Sequence, residues 1–391
     1  MGSKRFLVCS ILACAASVLG GSVLSQERGA APSADEASGF RFTPGIRLHT
    51  IWQVSDREGT PTNEFLVEMA RLGMSWEVGS MVDGKVSADL EQVFREEKAL
   101  LRDAYVRVQP LKAAALRIGQ FKRPFSAIEL RSRGKLETVR RGLGNELLIE
   151  DLGFGDRDLG VMFDGQVGGK KRHVKYMVGL FNGGGANVPE TDMDWSKDLV
   201  ARVEGRPWKW LTAGVNASFK WFDTEGEVHS DEDAWAVGAD LRFKRKALFV
   251  LAEWILAENW DRCRYAEYEI NCRLEEHTPK AWDMLLMAAY RWRLGGPLNI
   301  ALEPVFKGEY LVPEHDVSGS GAGRFFPGSN QAGIWFLVPG VNLHLGEYFR
   351  VMANVEWAHA GSDVPAGWEV RESVREWTDG TRFLLQFALD I

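Results

Sequence analysis

Apolar and polar residues alternate singly in stretches about ten residues long, and this rhythm constrains the fold more than any other feature of the chain. In 211–222, Leu211, Ala213, Val215, Ala217, Phe219 and Trp221 fall on one face, against Thr212, Gly214, Asn216, Ser218 and Lys220 on the other. In 235–244, Trp235, Val237, Ala239, Leu241 and Phe243 oppose Gly238, Asp240, Arg242 and Lys244. The same pattern runs through 349–358 and through the C-terminal stretch from Phe383 to Ile391. A period of two over about ten residues is that of a tilted strand crossing a bilayer. Beyond the N-terminal leader, no segment reaches the roughly 18 apolar residues of a spanning helix. If the chain enters a membrane it does so with strands, and these must close on themselves, because an open edge leaves peptide groups unpaired in hydrocarbon.

The template fits about 16 segments, beginning near residues 41, 65, 84, 99, 113, 157, 171, 197, 211, 233, 247, 281, 298, 332, 349 and 381. Every second connection is short: MVDGK, QPLKA, VGGKK, RPWKW, FKRKA, LGGPL and LGEYF. The others are long, at 54–64, 122–156, 183–196, 223–232, 259–280, 310–331 and 359–380, with only 95–98 as a short exception. Short turns on one side and long loops on the other predict an all-β, transmembrane, antiparallel up-and-down β-barrel. Its turns are periplasmic, its loops external and both termini periplasmic. The competing fold is a soluble all-β protein with ordinary core aromatics.

Composition agrees with a wall wet on one side and oily on the other. Mean hydropathy is -0.19, too polar for a bundle of membrane helices, yet there are 15 Trp and 41 Gly. Trp208, Trp210, Trp292 and Tyr348 fall at the short-turn ends, and Trp52, Trp221, Trp282 and Trp357 near the long loops, as two interfacial girdles require. The formal net charge of -7 argues against a nucleic-acid partner.

Residues 1–25 read as a secretory signal. Lys4 and Arg5 precede an apolar run from Phe6 to Ala16, and Val23-Leu24-Ser25 offers a cleavage site before Gln26. A retained anchor and a lipoprotein box at Ile11-Leu12-Ala13-Cys14 are the alternatives. Residues 26–39 read as a flexible tail, and 40–391 as the barrel. Cys263 and Cys272 share one polar segment; in an exported protein they suggest a local disulfide, with two free thiols or a metal site as alternatives.

Charges of both signs fall on the faces assigned to the interior, including Arg47, Arg71, Arg107, Arg117, Arg202 and Lys220, with Asp89, Asp103, Asp240, Glu253, Glu303 and Glu356 among the acids. Most such charges are expected to form cross-strand ion pairs that hold the wall. The connection 122–156 is more specific. It opens with Lys122, Arg123, Arg131, Arg133, Lys135, Arg140 and Arg141, against Glu129 and Glu137. Leu130, Leu136 and Val139 make it too apolar to stand in water. A loop folded into the lumen accounts for both features, and fixed Arg and Lys there favour anions. The alternative is an external loop bound to anionic lipid headgroups or to nothing.

LRDAYV at 101–106, LRIGQFKRPFS at 116–126, DLGVMFDG at 158–165, YMVGLFNGGG at 176–185 and LVARVEGRP at 199–207 together resemble the phosphate-selective porin O and P family. The similarity covers the first half of the chain, and the second half mainly in strand layout. The resemblance implies a 16-stranded, usually trimeric barrel with 122–156 in the lumen. It also implies that basic residues lead anions to a constriction, which makes Arg117, Lys122, Arg123, Arg131, Arg133, Lys135, Arg140 and Arg141 the selectivity candidates.

Other signals are weak. Gly183-Gly184-Gly185 has no following helix pattern, the seven His lack metal-ligand spacing, and Asp231-Glu232-Asp233 reads as a solvated run or a divalent bridge to lipopolysaccharide. The expectation is an outer-membrane channel for passive diffusion of small polar or anionic solutes, phosphate among them. It uses no cofactor and sits among outer-membrane lipid and lipopolysaccharide. A non-conducting structural or adhesin barrel is the first alternative, and a barrel enzyme the second.

Overall fold

The computed structural model describes residues 39–56, 62–91, 101–187, 197–221, 233–258, 280–315, 333–360 and 379–391. The leader, Cys263 and Cys272 lie outside them. Phe42–Ile391 form one compact unit; of the other, residues 1–41, only 39–41 are described.

The chain forms one sheet in which each strand pairs with its sequence neighbours. The strands are β1 (Phe40–Ser55), β2 (Thr62–Val78), β3 (Val82–Asp89), β4 (Leu101–Leu111), β5 (Ala114–Lys122), β6 (Arg157–Gly168), β7 (His173–Phe181) and β8 (Asp198–Trp208). They continue as β9 (Leu211–Lys220), β10 (Ala234–Arg245), β11 (Leu248–Glu258), β12 (Lys280–Tyr290), β13 (Trp292–Gly295), β14 (Ile300–His315), β15 (Ile334–Leu345), β16 (Phe349–Ala360) and β17 (Asp379–Asp390). β12 and β13 are two pieces of one wall strand, both paired to β14, so the wall has 16 strands. The last strand returns to the first: β1 and β17 pair antiparallel from Arg47 opposite Asp390 to Ser55 opposite Arg382. The sheet is thus a closed antiparallel barrel. All sixteen wall strands begin within three residues of the positions read from the alternation.

The one connection expected to be short on the long-loop side, 95–98, lies outside the described residues. On the opposite side every turn is tight. Gly79, with φ 58, opens the turn between β2 and β3, where a side chain would be strained.

Alternation sorts the residues as a barrel in lipid requires. On β9, Val215 is 57% exposed, while Gly214, Asn216, Ser218 and Lys220 are buried. The interfacial rings Trp208, Trp210, Trp292 and Tyr348 are exposed at the turn side, and Trp221 and Trp357 at the loop side. Trp282 departs from this: it is 3% exposed, packed 5.4 Å from Tyr310, and Tyr310 in turn lies 4.5 Å from the exposed ring of Trp335. Trp335 takes the exposed place that Trp282 was expected to hold.

The facing leads to a direct prediction. Val215→Arg places a charge at mid-strand on the outer face and should cost about 2–4 kcal/mol. Thr212→Asn on the inner face should be nearly neutral. Urea titrations of folding into lipid vesicles read both, and a tolerated arginine at 215 would mean that this face does not meet hydrocarbon.

Candidate functional site

The connection from β5 to β6 is held against the buried face of the wall by both apolar and polar contacts. Ala127, Ile128 and Leu136 pack with Phe249, Leu251, Leu285 and Met287, while Val139 packs with Ile51, Met352 and Leu384. Phe125, Leu147, Leu148, Ile149 and Phe154 join a larger cluster with Phe121, Phe181, Ile255 and Phe336. These side chains explain why the segment could not stand in water.

Its backbone polar groups find partners on the wall, as buried peptide groups must. Glu253 of β11 accepts the N–H groups of Ala127 (3.1 Å) and Ile128 (2.9 Å), which begin the helical turn Ala127–Leu130. Glu309 of β14 accepts from the Gly144 N–H at 2.5 Å, and Asn354 of β16 from that of Val139 at 2.7 Å. The carbonyls are taken by donors. Lys307 reaches Arg141 O (2.7 Å), Asn342 reaches Glu137 O (2.7 Å) and Arg350 reaches Leu136 O (2.6 Å). Gly142 and Gly144 permit the approach, since a Cβ at either would collide with the Glu309 or Asp283 carboxylate.

The wall facing this anchored side is basic. A cavity of about 250 Å³ draws cations from all of six consecutive strands: Arg47, Arg71, Lys85, Arg102, Arg117 and Arg157, on β1 to β6 in order, with Lys122 at the end of β5 as a second from that strand. Arg133 and Arg141 line it too, and Asp103 is its single acidic lining residue. Most of these cations are balanced. Arg71 bonds Asp89 at 2.8 Å, and Asp103 is shared by Lys85 (2.6 Å) and Arg157 (2.8 Å). Arg47 meets Asp390 at 3.4 Å and Arg102 meets Asp156 at 3.6 Å, while Lys122 and Arg141 share Glu129. Among the described residues, Arg117 and Arg133 alone of the nine have no carboxylate at salt-bridge distance. Nine cations thus stand against five carboxylates.

The structure divides the residues singled out in the sequence. Arg117, Lys122, Arg133 and Arg141 come together at the cavity. Arg140 joins Arg133 and Arg141 at a second cavity of about 160 Å³, shared with Glu68, Glu146 and Glu150. Arg123 lies elsewhere: 1% exposed, it sits between Asp158 and Asp198 and bonds the Gly153 carbonyl at 2.6 Å, fastening the two ends of the loop. Arg131 pairs with Glu137 at 2.5 Å and stacks 4.5 Å over Phe249, and Lys135 is exposed and lines neither cavity. Lys85, Arg102 and Arg157 were not singled out. Lys85 sits on a short strand, and Arg102 and Arg157 sit at strand starts, where alternation gives the least guidance on facing.

The loop's own carboxyls respond to this field. Burial favours neutral Glu129, but Arg141 and Lys122 outweigh it and hold the group down at about 2. For Glu146 burial wins: against the attraction of Arg140, and with Glu150, Glu356 and Glu309 repelling its charge, it is pushed up to about 8.

Comparison with known proteins agrees with this geometry. The family described as phosphate-selective porin O and P matches residues 53–219. That stretch is less than half of the chain, and over it the sequence is similar to this family. The chain superposes on an anion-selective porin from Comamonas acidovorans with a TM-score of 0.60 at 10% identity, covering 90% of this chain and 100% of that one. Pseudomonas putida OprB gives 0.58 at 8% identity over 91% and 95% of the two chains. Salmonella typhi OmpF gives 0.53 at 8% over 91% and 99%. No curated protein sequence matches the chain. At these identities the superpositions show the fold alone, and the family match over 53–219 supports an outer-membrane channel for small solutes.

Glu146 gives the porin a pH signature. The group is neutral below about 8 and ionised above it, adding negative charge beside Arg133 and Arg140. The ratio of anion to cation permeability should therefore fall as pH rises through about 8, and Glu146→Gln should flatten the profile. Stability should fall as pH rises from the ordinary 4.5 to about 8 and level off above it, because over that window the unfolded chain releases a proton that the folded state keeps. Reversal potentials across a pH series check the first effect; an equally steep profile in the Gln variant would assign it to another group.

Proposed function

We propose that this porin passes small anions in preference to cations, along the basic half of its interior. The segment 122–156 narrows the passage by packing against the opposite side, on β11, β12, β14 and β16. The observation that carries the reading is the pair Arg117 and Arg133. They face one cavity, the first from the wall and the second from the loop, and no described carboxylate stands at ion-pair distance from either. Fixed guanidinium groups in a confined passage attract anions and offer paired N–H donors to oxyanions. Lys122, Arg140 and Arg141 add to this field, and Arg133 shares with Arg140 and Arg141 the second cavity, where Glu68, Glu146 and Glu150 temper it. Arg123, Arg131 and Lys135 serve the loop itself: Arg123 as its fastening, Arg131 as a brace against Phe249, and Lys135 as the acceptor of Arg131 through its carbonyl.

The anion selectivity of the Comamonas acidovorans porin supports this direction, and the similarity to the phosphate-selective family makes phosphate one natural solute. The leader 1–25 exports the chain. A homotrimer in outer-membrane lipid and lipopolysaccharide is the assembly we infer, in keeping with the trimer form of Vibrio cholerae OmpT among the structures that share the fold. The channel needs no cofactor and no chemistry.

Neutralising the two open cations is the test. Arg117→Gln with Arg133→Gln should lower the anion-to-cation permeability ratio roughly fivefold, the effect of losing about 1 kcal/mol of attraction. Reversal potentials in a KCl gradient across planar bilayers measure it. An unchanged ratio would remove these residues from selectivity, and a folded protein with no conductance would turn the reading toward a structural barrel.

A further inference from the structure

We propose that the basic cavity favours organic anions carrying an apolar or aromatic body beside a carboxylate over inorganic phosphate. The proposal rests on the anion-channel reading above and adds the solute class to it.

The cavity is basic on one side only. Its remaining lining includes Tyr105, Phe121, Leu130, Met162 and Met177. Tyr105 and Phe121 meet edge to face at 6.0 Å, and Phe121 and Met162 are 1% and 3% exposed, so this floor is firmly packed. Arg117 bridges the two halves. Its guanidinium lies 4.7 Å from the centre of the Tyr105 ring and 5.3 Å from that of Phe121, and its buried Nε has no hydrogen-bond partner among the described residues. A guanidinium covered on its face keeps its N–H edge for an oxyanion, and that edge here lies next to apolar side chains.

Phosphate presents oxygens in every direction. Bound here it gains from the cations and loses hydration against five apolar side chains. A carboxylate joined to a ring can place the anionic end on the guanidinium edge and the ring over the thioethers and aromatics, and sulfur is a favourable neighbour for an aromatic ring. At about 250 Å³ the space falls below the roughly 300 Å³ at which sites for drug-sized ligands begin, which fits a small solute.

The test is competition for chloride current through the full-length porin in planar bilayers, with benzoate, cyclohexanecarboxylate or inorganic phosphate as the added anion. Benzoate should half-block at a concentration roughly tenfold lower than phosphate, equivalent to about 1.4 kcal/mol. Cyclohexanecarboxylate should fall between them. Met162→Ala with Met177→Ala should weaken the benzoate block several-fold more than the phosphate block. Phosphate blocking as well as benzoate, or both losing equally in the variant, overturns the proposal and leaves the anion channel standing. A KCl reversal potential showing cation preference overturns the anion channel and this proposal together. If the double variant does not fold, the comparison of benzoate with phosphate on the unaltered porin decides alone.

Discussion

Everything in this molecule depends on the β1–β17 ladder. Hydrocarbon offers a peptide group no partner, so a wall of strands can stand in lipid only when its first and last members hydrogen-bond each other. The pairing of Arg47 through Ser55 with Asp390 through Arg382 does this. Once the sheet is closed, its two faces have different fates. The outer face can be apolar throughout, and the inner face must hold every charge the strands carry. That inner face is the origin of both the loop's anchoring and the channel's field.

The interior charges divide by chemistry as well as by position. A segment laid against the inner wall brings backbone N–H groups that need acceptors, and carboxylates are the strongest available; hydrogen bonds to charged groups are worth roughly 1.5–3 kcal/mol each. Glu253 and Glu309 are used in this way, and each would otherwise present a negative charge to the passage. Lysine and arginine can accept nothing. Lys307 and Arg350, on the same side, are consumed by loop carbonyls. The cations of β1 to β6 lie outside this set of anchors and line the cavity. Holding the loop and setting the sign of the field are thus two results of one arrangement.

This explains what could be read in the sequence. Strand positions were legible to within three residues because membrane strands have a fixed period and tight turns carry Gly and Lys at recurring places. The basic, apolar-flecked segment after Lys122 was legible for the same compositional reason. Which of its cations face solvent was not. Arg123 and Arg117 look alike in sequence, yet Asp158 and Asp198, 35 and 75 residues downstream, enclose Arg123, whereas Arg117 rests on Tyr105 and Phe121. Ion-pair partners are chosen by barrel geometry across distant strands, and no local pattern records them. Arg157 was overlooked for the complementary reason: it sits on the first residue of a strand, and its partner Asp103 lies two strands back.

The acidic balance of the chain does not oppose a basic passage. Formal charge sums to -7 over the whole sequence, but charges on exposed loops act through water, where salt screens them beyond about 8 Å at physiological ionic strength. A cation in a cavity walled by Phe121, Met162 and Tyr105 acts through a medium of lower dielectric, where the same charge counts several times more. The field that a solute meets at the narrow point is therefore set by the few groups lining it. There the ledger is nine cations to five carboxylates, opposite in sign to that of the chain. Local inventory, and not isoelectric point, is the quantity from which the selectivity of such a barrel follows.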